Sequence, residues 1–199
     1  DNTSKVGIAA LVATDKYVYI ANARPANFSA CLPPTCGQLQ IMDITTPTPT
    51  IISTFKIPGV TGIGGQAVGN SIFYKNGFVY LGLTKTASGP EFNVIDVSNP
   101  AQPILKGGYI VGYGLNDLFV KNKYAYISHP TDSFAVNKEQ LTVMDISNPS
   151  NPQRVSGYRA PDLQGNGRNI FTVGDNLYFG RTFTSSHSCL LYTSDAADE

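Results

Sequence analysis

The sequence predicts an all-β protein: a partial β-propeller of about three and a half four-stranded antiparallel blades. The first observation is a repeated string. VIDVSNPAQPI at residues 95–105 returns as VMDISNPSNPQ at 143–153, with a weaker copy, IMDITTPTPTI, at 41–51. The second is a tyrosine-containing strand pattern that recurs about every 50 residues, a period typical of propeller blades. The third is composition: 19 Gly and 13 Pro accompany 11 Tyr and 10 Phe, which favours turns and strands.

Each unit is interpreted as four strands, A to D. Strand A is a short apolar run, predicted at 71–76, 117–122 and 169–174. A tight turn follows each of these runs, because Asn and Gly tolerate a positive φ. Strand B is the aromatic strand, predicted at 16–22, 77–83, 123–129 and 176–182.

Strand C is a nearly continuous apolar run that ends in Asp, predicted at 39–44, 92–97 and 141–146. Such a run suits burial on both faces of a sheet. Strand D, at 104–110 and 154–160, alternates loosely and is predicted to be the outer edge strand. A partial propeller at residues 1–188 is therefore expected, with blades at about 6–58, 66–111 and 114–160 and the start of a fourth at 166–183.

Three aspartates end the predicted C strands: Asp43, Asp96 and Asp145. Their carboxylates can accept backbone N–H groups of the turn that follows, so we interpret them as structural turn residues. Catalysis or calcium binding is the alternative, but a residue repeated once per blade at a turn is usually a turn device.

The charge balance excludes several partners. Charged residues are only 14%, and Lys+Arg equals Asp+Glu at 14 each. This gives no basic patch for nucleic acid and none for an anionic membrane. No apolar run reaches the ~18 residues of a membrane helix, so no transmembrane segment is predicted. The Gly-rich strings lack the features of a phosphate loop, and we expect no cofactor and no metal.

At this point the residues resemble a known family. VIDVSNPAQPI and VMDISNPSNPQ, each preceded by an aromatic strand, resemble the LVIVD-type repeat. The resemblance covers residues 6 to about 183, and its first copy departs from the pattern, with TTPTPT in place of SNPxxP. It implies a β-propeller in a secreted or surface-attached bacterial or archaeal protein. It carries over no catalytic residues, because the pattern consists of scaffold positions.

The end of the chain does not follow the repeat. Residues 189–199, CLLYTSDAADE, look like translated sequencing-adapter sequence, as in a metagenomic contig that ends in adapter. We therefore expect residues 189–199 to be a non-native tail; a genuine amphipathic tail is the alternative. The start, DNTSKVG, has neither Met nor a signal-peptide pattern, so the chain is expected to be processed or a fragment.

Cys31 and Cys36 lie in the short stretch ACLPPTCGQ. A loop of this length can bring the two Cα atoms within disulfide range, and we predict a disulfide between them. Such a bond indicates an oxidising, extracytoplasmic compartment. Two reduced thiols, or half of a metal site, are the alternatives.

Binding is expected where the connections vary. In an up-and-down blade the B-to-C and D-to-A connections share one face, and here these are the long, variable segments, where function usually lies. Aligning the A strands places six candidate ligand-binding residues at the mouth of the channel: Asn70, Ser71, Asn116, Asp117, Arg168 and Asn169. The alternative is that they cap the glycine-rich loops and hold channel water. His129 is interpreted as a solvated loop histidine.

The leading hypothesis is an extracellular or cell-surface binding module, with a protein or a polysaccharide as partner on the long-loop face. One alternative is a propeller-type hydrolase or lyase with its site at the channel mouth. Another is a structural spacer in a larger surface protein. Nothing in the sequence demands an enzyme.

Overall fold

The computed structural model describes residues 7–22, 37–62, 67–130, 139–160 and 165–182, and the backbone of 191–195. Every regular element in these ranges is a β-strand, which confirms the predicted all-β class. No helix in the described part of the chain is long and apolar enough to cross a membrane.

The described residues hold fifteen strands in four antiparallel sheets, each a meander in chain order. Sheet 1 holds β1 (Ile8–Ala13), β2 (Tyr17–Asn22), β3 (Leu39–Asp43) and β4 (Thr50–Phe55). Sheet 2 holds β5 (Gly69–Lys75), β6 (Phe78–Leu83), β7 (Phe92–Asp96) and β8 (Ile104–Tyr109). Sheet 3 holds β9 (Asp117–Lys121), β10 (Tyr124–Ser128), β11 (Leu141–Asp145) and β12 (Gln153–Tyr158). Sheet 4 holds β13 (Gly167–Val173), β14 (Asn176–Arg181) and β15 (Leu191–Asp195).

The tight turns have the backbone that the sequence predicts. Lys75 pairs with Phe78, which leaves Asn76 and Gly77 as a two-residue loop. Both loop residues have positive φ, 50° and 81°, as a type I′ hairpin requires. Asn122 takes the same conformation, with φ of 51°, at the matching turn of sheet 3.

Consecutive sheets pack through their first strands: β1 contacts β5, β5 contacts β9, and β9 contacts β13. An apolar cluster fills each junction. The clusters between sheets 1 and 2 and between sheets 2 and 3 are the larger, and a smaller one lies between sheets 3 and 4. In sheets 2 and 3 the fourth strands, β8 and β12, are the most exposed, as predicted for outer strands. This arrangement is an open arc of propeller blades.

The two ends of the arc show what each junction buries. Leu11 in β1 is 57% exposed, whereas Leu118, at the matching position of β9, is 4% exposed. Phe171 in β13 is 50% exposed, whereas the matching Phe73 and Phe119 meet edge-on across a junction, with ring centroids 5.1 Å apart. No described sheet covers the outer faces of sheets 1 and 4.

Residues 191–195 form β15, which pairs with β14 in the place that the third strand takes in the other sheets. Its register puts Asp195 opposite Asn176, as Asp43 lies opposite Tyr17. The predicted non-native origin of residues 189–199 concerns the source of the sequence, and it stays a prediction.

We expect alanine substitutions at Leu118 and Leu11 to lower the free energy of unfolding by different amounts, because only Leu118 is packed in a junction. Leu118→Ala should lower the free energy of unfolding by about 2–5 kcal/mol, because it leaves a cavity in a packed junction. Leu11→Ala should change it by less than about 0.5 kcal/mol. Urea denaturation measures both values, and equal losses would contradict the assigned junctions.

We also expect the 199-residue chain to self-associate in solution, because both end faces expose apolar side chains. The double variant Leu11→Ser and Phe171→Ser should shift the sedimentation profile towards monomer. Val155→Ser, on an outer strand, is the control that removes an exposed apolar side chain away from the end faces. A wild-type chain that sediments as a single monomeric species would contradict the expectation.

Candidate functional site

The two ends of each sheet, where the strands begin and end, differ in chemistry. We call the end at which β1, β5, β9 and β13 begin the loop face, because the long connections leave from it. We call the opposite end, with the tight turns, the turn face. All six candidate ligand-binding residues lie at the loop face.

Asn70 and Asn116 join one sheet to the next. The Asn70 amide donates a 2.5 Å hydrogen bond to the carbonyl of Leu115, and the Asn116 amide donates a 2.6 Å bond to that of Gly167. Asn70 is the extra residue of a β-bulge between β5 and β6, and a bulge re-aims the side chain it carries. Both amides are thus engaged in hydrogen bonds between neighbouring repeats.

Asp117 makes a related contact. One carboxylate oxygen accepts the N–H of Leu118 and the other accepts the N–H of Ile170 in sheet 4, each at 2.8 Å. Burial raises the pKa of Asp117, and the two backbone hydrogen bonds oppose that shift. Ser71, the matching residue of sheet 2, is buried, and its hydroxyl has no hydrogen-bond partner among the described residues.

Arg168 and Asn169 are the two candidates whose side chains are exposed at this face. The backbone carbonyl of Arg168 accepts a 2.6 Å hydrogen bond from the hydroxyl of Ser128 in sheet 3. The candidate set therefore divides into three side chains that bond to the next repeat (Asn70, Asn116 and Asp117), the buried Ser71, and a pair that is open to solvent. Ligand binding by these six residues stays a prediction.

A second set of residues at the loop face was not predicted from the sequence. It consists of the residue five positions before each strand-C aspartate: Gln38, Glu91 and Gln140. All three are buried. The side-chain oxygen of Gln38 accepts the N–H of Ile57 at 3.0 Å, and that of Gln140 accepts the N–H of Ala160 at 2.8 Å. Each side chain thus holds the backbone that leaves the fourth strand of its own sheet. The signal was present in GQLQIMD, PEFNVID and EQLTVMD.

Glu91 is the charged member of this set. One oxygen accepts the N–H groups of Val111 and Gly112, at 3.0 and 3.1 Å. The other accepts the hydroxyl of Thr86 at 2.7 Å and its N–H at 3.4 Å. A buried carboxylate requires such partners, so Glu91 fixes two loop-face connections at once.

The interpretation of His129 as a solvated loop histidine is wrong. Its side chain is 2% exposed, and its ring stacks on Tyr113 with centroids 5.4 Å apart. Nε2 lies 2.9 Å from the Thr142 hydroxyl, and Nδ1 lies 3.1 Å from the Pro130 carbonyl. Burial lowers the pKa of His129, with smaller opposing effects from Pro130 and Glu139, so the neutral imidazole is favoured.

The turn face is built differently. Asp43, Asp96 and Asp145 each accept the backbone N–H of the residue two positions on, at 2.8, 3.0 and 2.8 Å. Hydrogen bonds from the following Thr or Ser lower the pKa of each carboxyl. These are the contacts of an Asx turn.

Lysines tie neighbouring sheets at the turn face. The Lys75 ammonium donates a 2.7 Å hydrogen bond to the carbonyl of Asn122, and Lys121 donates a 2.8 Å bond to that of Gly174. Lys121 also pairs with Asp175 at 2.8 Å. The contact is the same at both junctions, because Lys75 and Lys121 end matching strands and the acceptors lie in matching turns.

A cleft of about 360 Å³ opens on the turn face between sheets 1 and 2. Its walls are formed by the first turn of sheet 1, by strands β2 and β5, and by both turns of sheet 2. The lining residues are Thr14, Asp15, Lys16, Tyr17, Tyr19, Tyr74, Gly77, Val97, Ser98 and Pro100. No site is predicted at this position from the sequence.

The remaining predicted features fall elsewhere. Cys31 and Cys36 lie outside the described residues, as do most of the connections at 24–37 and 129–140. The disulfide stays a prediction. Within the described ranges, no three His, Cys, Asp or Glu side chains are grouped so as to hold a metal ion.

Comparison with known families identifies the repeat. The LVIVD repeat model matches residues 74–111 and 115–159, which correspond to sheets 2 and 3. The chain therefore carries two LVIVD repeats, as the sequence resemblance predicted. No curated protein matches the sequence. The two LVIVD matches end with the SNPxxP turn and strand D, and the divergent sheet 1, with its TTPTPT turn, lies outside them.

We predict that His129 makes the stability of the chain fall with acidification. Its folded-state pKa lies below the ordinary 6.5, so its contribution is complete above that value. Stability is then lost as the pH falls from about 6.5 towards the folded pKa, because only the unfolded chain takes up the proton there. His129→Gln should show a smaller fall in melting temperature between pH 7 and pH 5.5.

The turn carboxylates do not interfere with that comparison, because their pKa values are lowered from an ordinary 3.8 and they titrate below this window. A wild type and a His129→Gln variant that lose the same melting temperature over this range would contradict the assigned burial.

Proposed function

We propose that this LVIVD-repeat chain is an extracellular or cell-surface binding module whose partner, a protein or a polysaccharide, contacts the loop face. The observation that carries the proposal is the position of the buried polar side chains. Every buried polar or charged side chain among the described residues lies at the loop-face end of its sheet. They are Asn22, Gln38, Ser71, Thr86, Glu91, Asn93, Ser128, His129, Gln140, Thr142 and Arg181.

Such a layer lowers the free energy of unfolding unless its polar groups are hydrogen-bonded, since each unsatisfied buried polar group destabilises the fold by about 1–3 kcal/mol. Gln38, Glu91 and Gln140 meet this requirement by accepting backbone N–H groups of the connections themselves. The layer therefore fixes the ends of connections whose lengths and sequences differ from repeat to repeat. Variable connections on fixed ends are the usual construction of a binding surface.

The connection at 84–91 shows how neighbouring loops combine. Thr61, in the segment that leaves sheet 1, donates its N–H to the carbonyl of Ser88 at 3.0 Å. The carbonyl of Thr61 accepts the N–H of Ala87 at 2.8 Å. Connections of two different sheets thus form one continuous surface, and Ala87, Ser88 and Lys85 are exposed on it.

The extracellular location rests on two supports. LVIVD repeats imply a secreted or surface-attached setting, and Cys31 and Cys36 are spaced for a disulfide. Protease added to intact cells of the native source should remove the protein if it is displayed on their surface.

The binding proposal is tested by two matched alanines of sheet 2. Ala87 is exposed at the loop face and Ala101 is exposed at the turn face. A panel of soluble polysaccharides and extracellular proteins is first screened for saturable binding. Ala87→Arg should then weaken the affinity for the bound member at least tenfold, because it adds a long cation to the contact surface, whereas Ala101→Arg adds the same charge without effect.

Arg168→Ala tests whether the exposed candidate residue takes part in ligand binding. Asn116→Ala serves to distinguish a role in binding from a role in the stability of the fold. Because Asn116 ties two sheets, its loss should lower the melting temperature, whereas loss of the exposed Arg168 side chain should not. Binding that is weakened by Ala101→Arg and unchanged by Ala87→Arg would contradict the proposal.

A further inference from the structure

Two of the three sheet junctions carry the same ammonium contact at the turn face. The ammonium group of Lys75 or Lys121 crosses to a backbone carbonyl in the first turn of the next sheet, at 2.7 or 2.8 Å. The acceptor carbonyls belong to Asn122 and Gly174.

The first junction has the acceptor position without the donor. By strand register, Thr14 stands where the other sheets have Lys75 and Lys121, and Asn76 corresponds to Asn122. The Thr14 hydroxyl is engaged in its own turn: it donates to the carbonyl of Tyr17 and accepts the N–H of the same residue, at 3.2 and 3.1 Å. The Thr14 side chain therefore donates no hydrogen bond to the next sheet.

The 360 Å³ cleft lies at this position, between Thr14 on one side and Gly77 on the other. Its size is near the lower end of the range of small-molecule pockets, about 300–1,000 Å³. The cleft thus opens beside Thr14, which stands where the other junctions have a lysine, and beside Gly77, which follows the corresponding acceptor residue Asn76.

The lining of the cleft suits a cation with an alkyl stem. Tyr19 and Tyr74 stack with ring centroids 5.0 Å apart, and Tyr17 lies 6.5 Å from Tyr19. Aromatic faces attract ammonium groups within about 6 Å of the ring centroid, and their carbon atoms pack against a methylene chain. Burial raises the pKa of Tyr19 to about 12, so its phenol stays neutral at physiological pH.

Two opposite charges line the rim, Asp15 and Lys16. By register Lys16 corresponds to Lys123 and not to Lys75 or Lys121, which cross the junctions. The ammonium group of Lys123 stays within its own sheet, 5.1 Å above the ring of Tyr124. Asp15 supplies the negative charge that offsets Lys16 next to an incoming cation.

We propose that this cleft is a binding site for a primary alkylammonium group, which takes the place that the ammonium groups of Lys75 and Lys121 take at the next two junctions. The group belongs either to a free amine or to a lysine side chain of a partner protein. The site lies on the turn face and is independent of the loop-face proposal.

The test is a titration of the 199-residue chain with n-butylammonium chloride, followed by the amide chemical shifts of Gly77 and Ser98. Gly174 is the distant reference, and 1-butanol and sodium chloride are the neutral and ionic controls. Saturable shifts at Gly77 and Ser98 with the amine alone support the proposal. Equal shifts with 1-butanol, or no saturable shift, overturn it.

Thr14→Lys supplies the missing donor from within the chain. It should abolish the butylammonium shifts and raise the melting temperature by about 2 °C, as expected for a gain near 1 kcal/mol in a chain of this size. Thr14→Met is the matched control, because it fills the cleft with a side chain of similar length and no charge. Equal melting temperatures for the two variants count against recognition of an ammonium group.

Chemical rescue at the second junction keeps the proposal testable if the Thr14 variants fold poorly. Lys75→Ala removes an existing ammonium contact together with the methylene chain that carries it, which leaves space for the amine, and butylammonium should raise the melting temperature of this variant by more than that of wild type. No difference would overturn the proposal. A further titration with Nα-acetyl-lysine methylamide distinguishes the sources: binding at least tenfold tighter than butylammonium indicates a lysine side chain, and equal binding indicates a free amine.

Discussion

The packing of one sheet face against the next is the constraint on which the rest of the structure depends. A four-stranded sheet of this size cannot bury its apolar residues alone, so each repeat needs a neighbour on both faces. Leu118 and Phe119 show the two sides of this requirement. Leu118 belongs to the apolar cluster between sheets 2 and 3, and Phe119, besides its contact with Phe73, packs against the cluster between sheets 3 and 4. The matching residues at the ends of the arc, Leu11 and Phe171, have only one neighbouring sheet and stay exposed.

Polar contacts add direction to this apolar packing. Asn70 and Asn116 connect sheets at the loop face, and Lys75 and Lys121 connect them at the turn face. Hydrogen bonds have defined geometry, whereas apolar contact does not, so these ties set the position of one sheet along the next. Sheet 1 has neither type of residue, with Ala9 and Thr14 at the two positions, and the cleft opens at its junction.

Much of the fold was predictable from the sequence, because its determinants are local. The strands follow from apolar runs such as FVYLGL, and the turns follow from Asn76-Gly77 and from the recurring SNPxxP. The site was less predictable, because burial is decided by other parts of the chain. His129 resembles any loop histidine until Tyr113, from a different connection, covers it. Glu91 precedes its strand as a solvated residue often does, and only the path of Val111 and Gly112 makes it a buried acceptor.

A double-mutant cycle between Phe73 and Phe119 tests the central claim most directly, because these two rings belong to neighbouring sheets and meet 5.1 Å apart. The free energy of unfolding is measured by urea denaturation for wild type, Phe73→Ala, Phe119→Ala and the double variant. The account predicts a favourable coupling of about 0.5–1.5 kcal/mol, the range found for aromatic pairs in contact. A coupling of zero, with the two losses simply additive, would mean that the sheets do not pack in this order.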